Sequence, residues 1–238
     1  MGSETLSNGV GTPQHSSSKA KTEPVKPLLR GVSHQHAIFA ALAAGILLIS
    51  SARGLEAKLC CGLYVACLTM LFTASTLYHR PTWSAEARQQ MRKLDHSSIF
   101  FLIAGTYTPI AYLGIGGATG MHLLRLVWGG AAAGILQMLF LPKAPRLLTT
   151  LIYIALGWVI VPHATEVAES LGPEGPWLLV AGGLSYSIGG LIYAMRWPDP
   201  SPTVFGYHEI FHMLVIIASA LHFAAIYLLV QRRQSQRL

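Results

Sequence analysis

Three short stretches carry side chains suited to metal and proton chemistry: Ser75-Thr-Leu-Tyr-His79, Lys93-Leu-Asp95-His96 and His208-Glu-Ile-Phe-His212. On an α-helix, positions i and i+4 share a face one turn apart, so His208 and His212 can aim two imidazoles at one point. Ser75 stands in the same relation to His79. The chain holds ten histidines, which by chance alone would give about 0.4 pairs at this spacing, so the pattern counts mainly through its placement at the ends of long apolar runs. Three imidazoles with a fourth position open are the arrangement of a catalytic zinc, whose bound water falls to a pKa of about 7. Asp95 would hydrogen-bond that water or a ligand imidazole, its charge stabilised by the dication. Ser75 could donate to the water or to a developing oxyanion. Plainer roles exist for each: an interfacial histidine at His79, a helix cap or a partner of Arg92 or Lys93 at Asp95, a back-bond to its own helix at Ser75. His96 and Glu209 adjoin these residues but point about 100° away on their helices, so they are set aside.

Seven uncharged runs must position these groups, each near the ~20 residues that cross a bilayer. They cover about 31–52, 59–78, 97–115, 121–141, 147–165, 176–195 and 210–231, with Pro109 as a kink in the third and Gly114–Gly120 as a tight turn after it. The fold class expected is therefore an all-α membrane protein, a seven-helix bundle. Before it lies a polar, disordered tail (1–30), and after the membrane domain (31–231) a short basic tail (232–238). Small residues four apart, Gly130 with Gly134, Gly183 with Ser187 and Ser185 with Gly189, read as close helix packing. In an alternating bundle, even helices end and odd helices begin on the N-tail side. The end of helix two and the starts of helices three and seven then meet on one face. His122 and His163 fall on the opposite face, and His222 lies ten residues past His212. His15 belongs to the tail, while His34 and His36 open helix one on the correct face as reserve ligands. A cytosolic N-tail puts eleven Lys and Arg inside against six outside, the direction that the positive-inside rule favours.

Composition excludes several functions. The chain is 52% hydrophobic and 11% charged, against about 25% charged in soluble domains. Its net charge of +7 resides in short loops and tails beside apolar runs, so it orients helices and does not indicate nucleic acid. Cys60, Cys61 and Cys67 share one run, lack a metal-binding spacing and read as small apolar residues. The tail has no apolar signal-peptide core, and Leu6 stands where a myristoylation site would want Ser or Thr. No phosphate-binding glycine fingerprint occurs. Helix seven has no Lys for a retinal, and ligands gathered at one end offer a transported metal no path.

Taken together, Ser75-x3-His79, Asp95 heading a helix that continues Ile-Phe-Phe-Leu-Ile-Ala-Gly-Thr-Tyr-Thr-Pro (Ile99–Pro109), His208-x3-His212 and the opening Leu-Arg-Gly-Val-Ser-His (Leu29–His34) resemble the hemolysin III family. That family groups with the progestin and adipoQ receptors and the alkaline ceramidases, and the resemblance spans about Leu29 to Gln231. It implies seven helices with a cytosolic N-terminus. It also implies zinc on His79, His208 and His212, with Asp95 and Ser75 completing the site. In the ceramidases such a site hydrolyses a lipid amide, and in the receptors it lies beneath a lipid-accommodating cavity.

The function expected is a zinc-dependent hydrolase of a lipid amide or ester, with Asp95 as proton acceptor and Ser75 at the oxyanion. Its partners would be membrane lipids and a small lipid substrate or ligand, and its location the plasma membrane, ahead of an endomembrane. A lipid-responsive receptor or membrane-homeostasis factor with structural zinc is the first alternative, distinguished by the absence of turnover. A pore-forming cytolysin is the second, although no amphipathic pore-lining pattern is evident.

Overall fold

The structure, a computed structural model, describes residues 26–141 and 144–236. The expected disorder of the tail up to Val25 lies outside the described residues. Among the described residues eight α-helices follow in order: α1 (Val32–Ser51), α2 (Leu55–His79), α3 (Ala85–Pro109), α4 (Gly117–Phe140), α5 (Arg146–Gly157), α6 (Ala164–Leu171), α7 (Gly175–Met195) and α8 (Tyr207–Ser235). They make seven spans long and apolar enough to cross a membrane, the third being Ala85–Ile115 and the fifth Arg146–Leu171. A helix satisfies its own backbone polar groups, which is why each uncharged run adopts this form in hydrocarbon.

Boundaries differ from the sequence expectation, among them α4, which begins at Gly117 inside the expected turn, and α8, which runs to Ser235 into the expected basic tail (232–238). Helix three does not begin near Ser97: α3 starts at Ala85, where the Ser84 side chain accepts from the Ala87 N–H at 3.3 Å. The residues Ala85–Leu94 are strong helix formers, so the helix runs on where the apolar pattern stops. Past Pro109 the backbone winds into a π-turn over Ile110–Ile115 and stops at Gly116, whose φ of 65° favours glycine. The fifth span is broken: α5 ends at Gly157, a 3₁₀ turn covers Val161–His163 with Pro162 inside it, and α6 resumes at Ala164.

Neighbouring helices pack in the order α1–α2–α3–α5–α7–α8, and α8 returns to α1, closing a ring; α4 lies against α3 and α5. One core joins α1, α2 and α8 through Leu48, Tyr64, Phe72 and Ile226, and a second joins α3, α4 and α5 through Phe100, Leu123, Val127 and Leu156. The small-residue pairs sit at such contacts. Gly134 faces Phe100, Ser185 donates to the Leu214 carbonyl at 2.9 Å, and Ser187 accepts the Trp158 indole N–H at 2.9 Å. Outward faces stay apolar, as at Phe39, Ile46, Leu63 and Ile188, which suits contact with lipid. Cys60, Cys61 and Cys67 are free thiols, buried in the bundle.

The segment before α1 is tied to the α7–α8 loop by backbone bonds from Leu28 to Thr203 (3.0 Å) and from Leu29 to Val204 (3.2 Å). Gly31 then turns left-handed (φ 78°), and a Cβ there would meet the His79 Cβ at 2.8 Å. Only glycine meets both demands, and it brings the head of α1 onto the end of α2.

Candidate metal centre

His79 is the last residue of α2, and His208 and His212 occupy the first two turns of α8. The structure brings all three together and buries them: one nitrogen from each lies within 4.8 Å of the others, a cluster that could hold a metal ion. His79 Nε2 and His208 Nε2 stand 3.1 Å apart. Two nitrogens on one tetrahedral zinc would be about 3.3 Å apart, given bond lengths of about 2.05 Å. His212 Nδ1 is buried without a hydrogen-bond partner. Three converging imidazoles are a donor set that suits zinc.

Ser75 stands one turn before His79 on α2 and is buried. Its Oγ lies 2.8 Å from His34 Nδ1. His34 is 2% exposed and stacks on the His212 ring, with centroids 3.9 Å apart and planes 10° from parallel. Of the two reserve histidines, His34 therefore belongs to the centre, while His36 is exposed.

Asp95 lies ten residues inside α3, so it is not the cap of that helix. Its Oδ2 is 3.3 Å from His96 Nδ1, and the side chain is 14% exposed. His96 Nε2 in turn meets the Tyr193 hydroxyl at 3.3 Å, and the Arg146 guanidinium lies over the Tyr193 ring. Set aside on the sequence because it points away from Asp95's face, His96 is drawn back by its own carboxylate neighbour.

Glu209 was likewise set aside and is structural here. Its carboxylate pairs with Arg30 (Nε–Oε1 2.5 Å) and accepts the Gly206 N–H at 2.8 Å. The pair fastens the first turn of α8, and with it His208, to the head of α1. No spacing rule links Arg30 to Glu209, because only tertiary packing makes them neighbours. Cations crowd this face of the bundle: burial first, then Arg80, Arg88 and Arg30, lower the pKa of the Lys26 ammonium, which donates to the Arg80 carbonyl at 2.8 Å.

His122 is exposed on α4, and His163 pairs with Glu166 at 3.8 Å, both apart from the cluster. A cavity of about 280 Å³ is lined by two of the three histidines, His208 and His212. Ser75, Asp95 and the apolar Ile99, Leu102 and Val215 line it too, as does His222, ten residues along α8 from His212. Such a cavity, lined mostly by apolar side chains with a few polar groups among them, suits an amphiphile.

The family described as "Haemolysin-III related" matches residues 22–223 of the chain. A Hemolysin-3 homolog from Bacillus subtilis (strain 168) is 34% identical over 156 residues, covering 66% of this chain and 70% of the relative. Hemolysin-3 from Bacillus cereus is 34% identical over 160 residues, covering 67% and 70% respectively. The human monocyte to macrophage differentiation factor is 25% identical over 177 residues, covering 71% and 70%. The family match spans most of the chain, including all three histidines of the cluster, and on that ground this seven-helix membrane protein belongs to the hemolysin III family.

Proposed function

We propose that this protein is a zinc-dependent hydrolase of a lipid amide or ester. The observation that carries the reading is the convergence of His79, His208 and His212, two of which line a cavity that Asp95 and Ser75 also line. His79, His208 and His212 would hold the zinc, which supplies Lewis-acid charge and an acidified water. Asp95 accepts the proton of the attacking water while its Oδ2 remains on His96. With His34 Nδ1 donating to Ser75 Oγ, the serine's own proton is left to meet the developing oxyanion. Ile99, Leu102 and Val215 shelter the acyl chain from water. The cation-rich face is read as cytosolic, in line with eleven Lys and Arg against six.

A second reading, a lipid-responsive or homeostatic protein with structural zinc, draws on the same His34–Ser75 bond, which engages the serine before any substrate arrives. Release of fatty acid from ceramide-like amides and lysolipids by detergent-purified protein separates the two. Hydrolysis is expected, and it should vanish on chelation and return with zinc. No release from any lipid of the panel moves the assignment to the second reading.

A further inference from the structure

His222 is the third histidine of α8 and takes no part in the metal cluster. It lies ten residues beyond His212, about 15 Å along the axis, near the middle of the helix. An imidazole at that depth is expensive unless its polar atoms are used. One of them is: Nε2 stands 3.2 Å from the Leu179 carbonyl of α7, a bond that requires the proton on Nε2. Nδ1 is then an acceptor.

The Cδ2–Nε2 edge of the ring is turned toward α7, since a Cβ on Gly182 would fall 2.3 Å from Cδ2 and 2.5 Å from Nε2. The Nδ1 edge therefore faces away from α7, and His222 lines the same cavity as Ser75, Asp95 and His212. Three polar residues that line the cavity with it, Tyr186, Trp158 and Ser187, have partners of their own. Tyr186 bonds Ser219 (2.8 Å), Trp158 donates to Ser187 (2.9 Å), and Ser187 donates to the Gly183 carbonyl (2.7 Å). None of these bonds uses Nδ1.

The geometry points to a second ligand subsite, in which His222 Nδ1 accepts a hydrogen bond from a hydroxyl or amide N–H on the lipid's hydrophobic chain, about 15 Å from the group held at the metal end. The inference rests on the lipid reading of the cavity and adds the substrate class: an amphiphile whose chain carries a hydrogen-bond donor well below its head.

Binding, read without turnover, tests it. Detergent-purified full-chain protein is titrated with octadecanoic, 2-hydroxyoctadecanoic and 12-hydroxyoctadecanoic acids in competition with a fluorescent fatty acid. The 12-hydroxy acid should bind about three- to tenfold more tightly than octadecanoic acid, the gain from one hydrogen bond, and the 2-hydroxy acid should show no such gain. His222→Phe should abolish the preference. Gly182→Ala, which displaces the ring without removing it, should reduce it, and His222→Gln, which keeps a donor and an acceptor, should restore part of it. Equal binding of all three acids by the unaltered protein overturns the subsite and leaves the lipid reading standing. A preference that survives both His222→Phe and Gly182→Ala overturns it as well. Failure of every acid to bind sinks the subsite and the lipid reading together.

Discussion

Replacing Arg30 with Met leaves the Glu209 carboxylate, 3% exposed, with only the Gly206 N–H as a partner among the described residues. Removing one member of a buried ion pair typically costs about 3–5 kcal/mol, because the remaining charge stays desolvated. The reverse change should be milder. Glu209→Gln keeps an amide oxygen for Gly206 and frees Arg30, which is 19% exposed and can turn its guanidinium to water, for a loss of about 1 kcal/mol. The double variant should then resemble Glu209→Gln alone, which requires a coupling of about 3–5 kcal/mol between the two sites. Equilibrium unfolding of the four proteins in mixed micelles, followed by far-UV circular dichroism, measures the cycle. A loss below about 1 kcal/mol for Arg30→Met, with no coupling, would mean that the pair behaves as a solvent-screened surface contact. The claim that it seats the first turn of α8 would then fall.

The remaining predictions concern the centre and the topology. Metal content should be near one zinc per chain and should fall on His79→Ala, His208→Ala or His212→Ala, but not on His122→Ala or His163→Ala; equal loss at His122 and His208 would misplace the site. Asp95→Asn should keep most of the zinc and lower hydrolysis by about 10²–10⁴, since Asn cannot take the proton. Ser75→Ala should lower it by about 10²–10³, and hydrolysis unchanged in both variants would assign the activity elsewhere. Seven spans place the chain before α1 and the end of α8 on opposite sides of the membrane. Cysteines introduced at Lys26 and Gln236 should therefore label from opposite sides of sealed vesicles, and labelling of both from one side would contradict the helix count.

The extra length of α3 was legible in principle. Ala85–Leu94 is a run of strong helix formers behind a serine cap, and only its charge hid it from a search for apolar spans. On apolar pattern alone Asp95 heads the helix, which in the fold begins ten residues earlier. The break in the fifth span left a weaker trace, Gly157 and Pro162, inside a stretch otherwise apolar enough to cross.

What the sequence by itself determined is whatever depends on local order: seven apolar runs that must be helical in hydrocarbon, and the shared face of His208 and His212 one turn apart. Parity put the end of α2 and the start of α8 on one side of the bundle without any coordinates. The tertiary structure alone decided which single residues complete the centre. His34 has no spacing partner and reaches the site because Gly31 lets α1 approach His79. Arg30 and Glu209 are 179 residues apart, and His222 meets the cavity only because α7 offers Gly182 and the Leu179 carbonyl. Periodicity encodes which face of a helix a residue occupies, whereas the neighbour on that face is set by how several helices pack at once, a sum over many weak contacts that no short motif records.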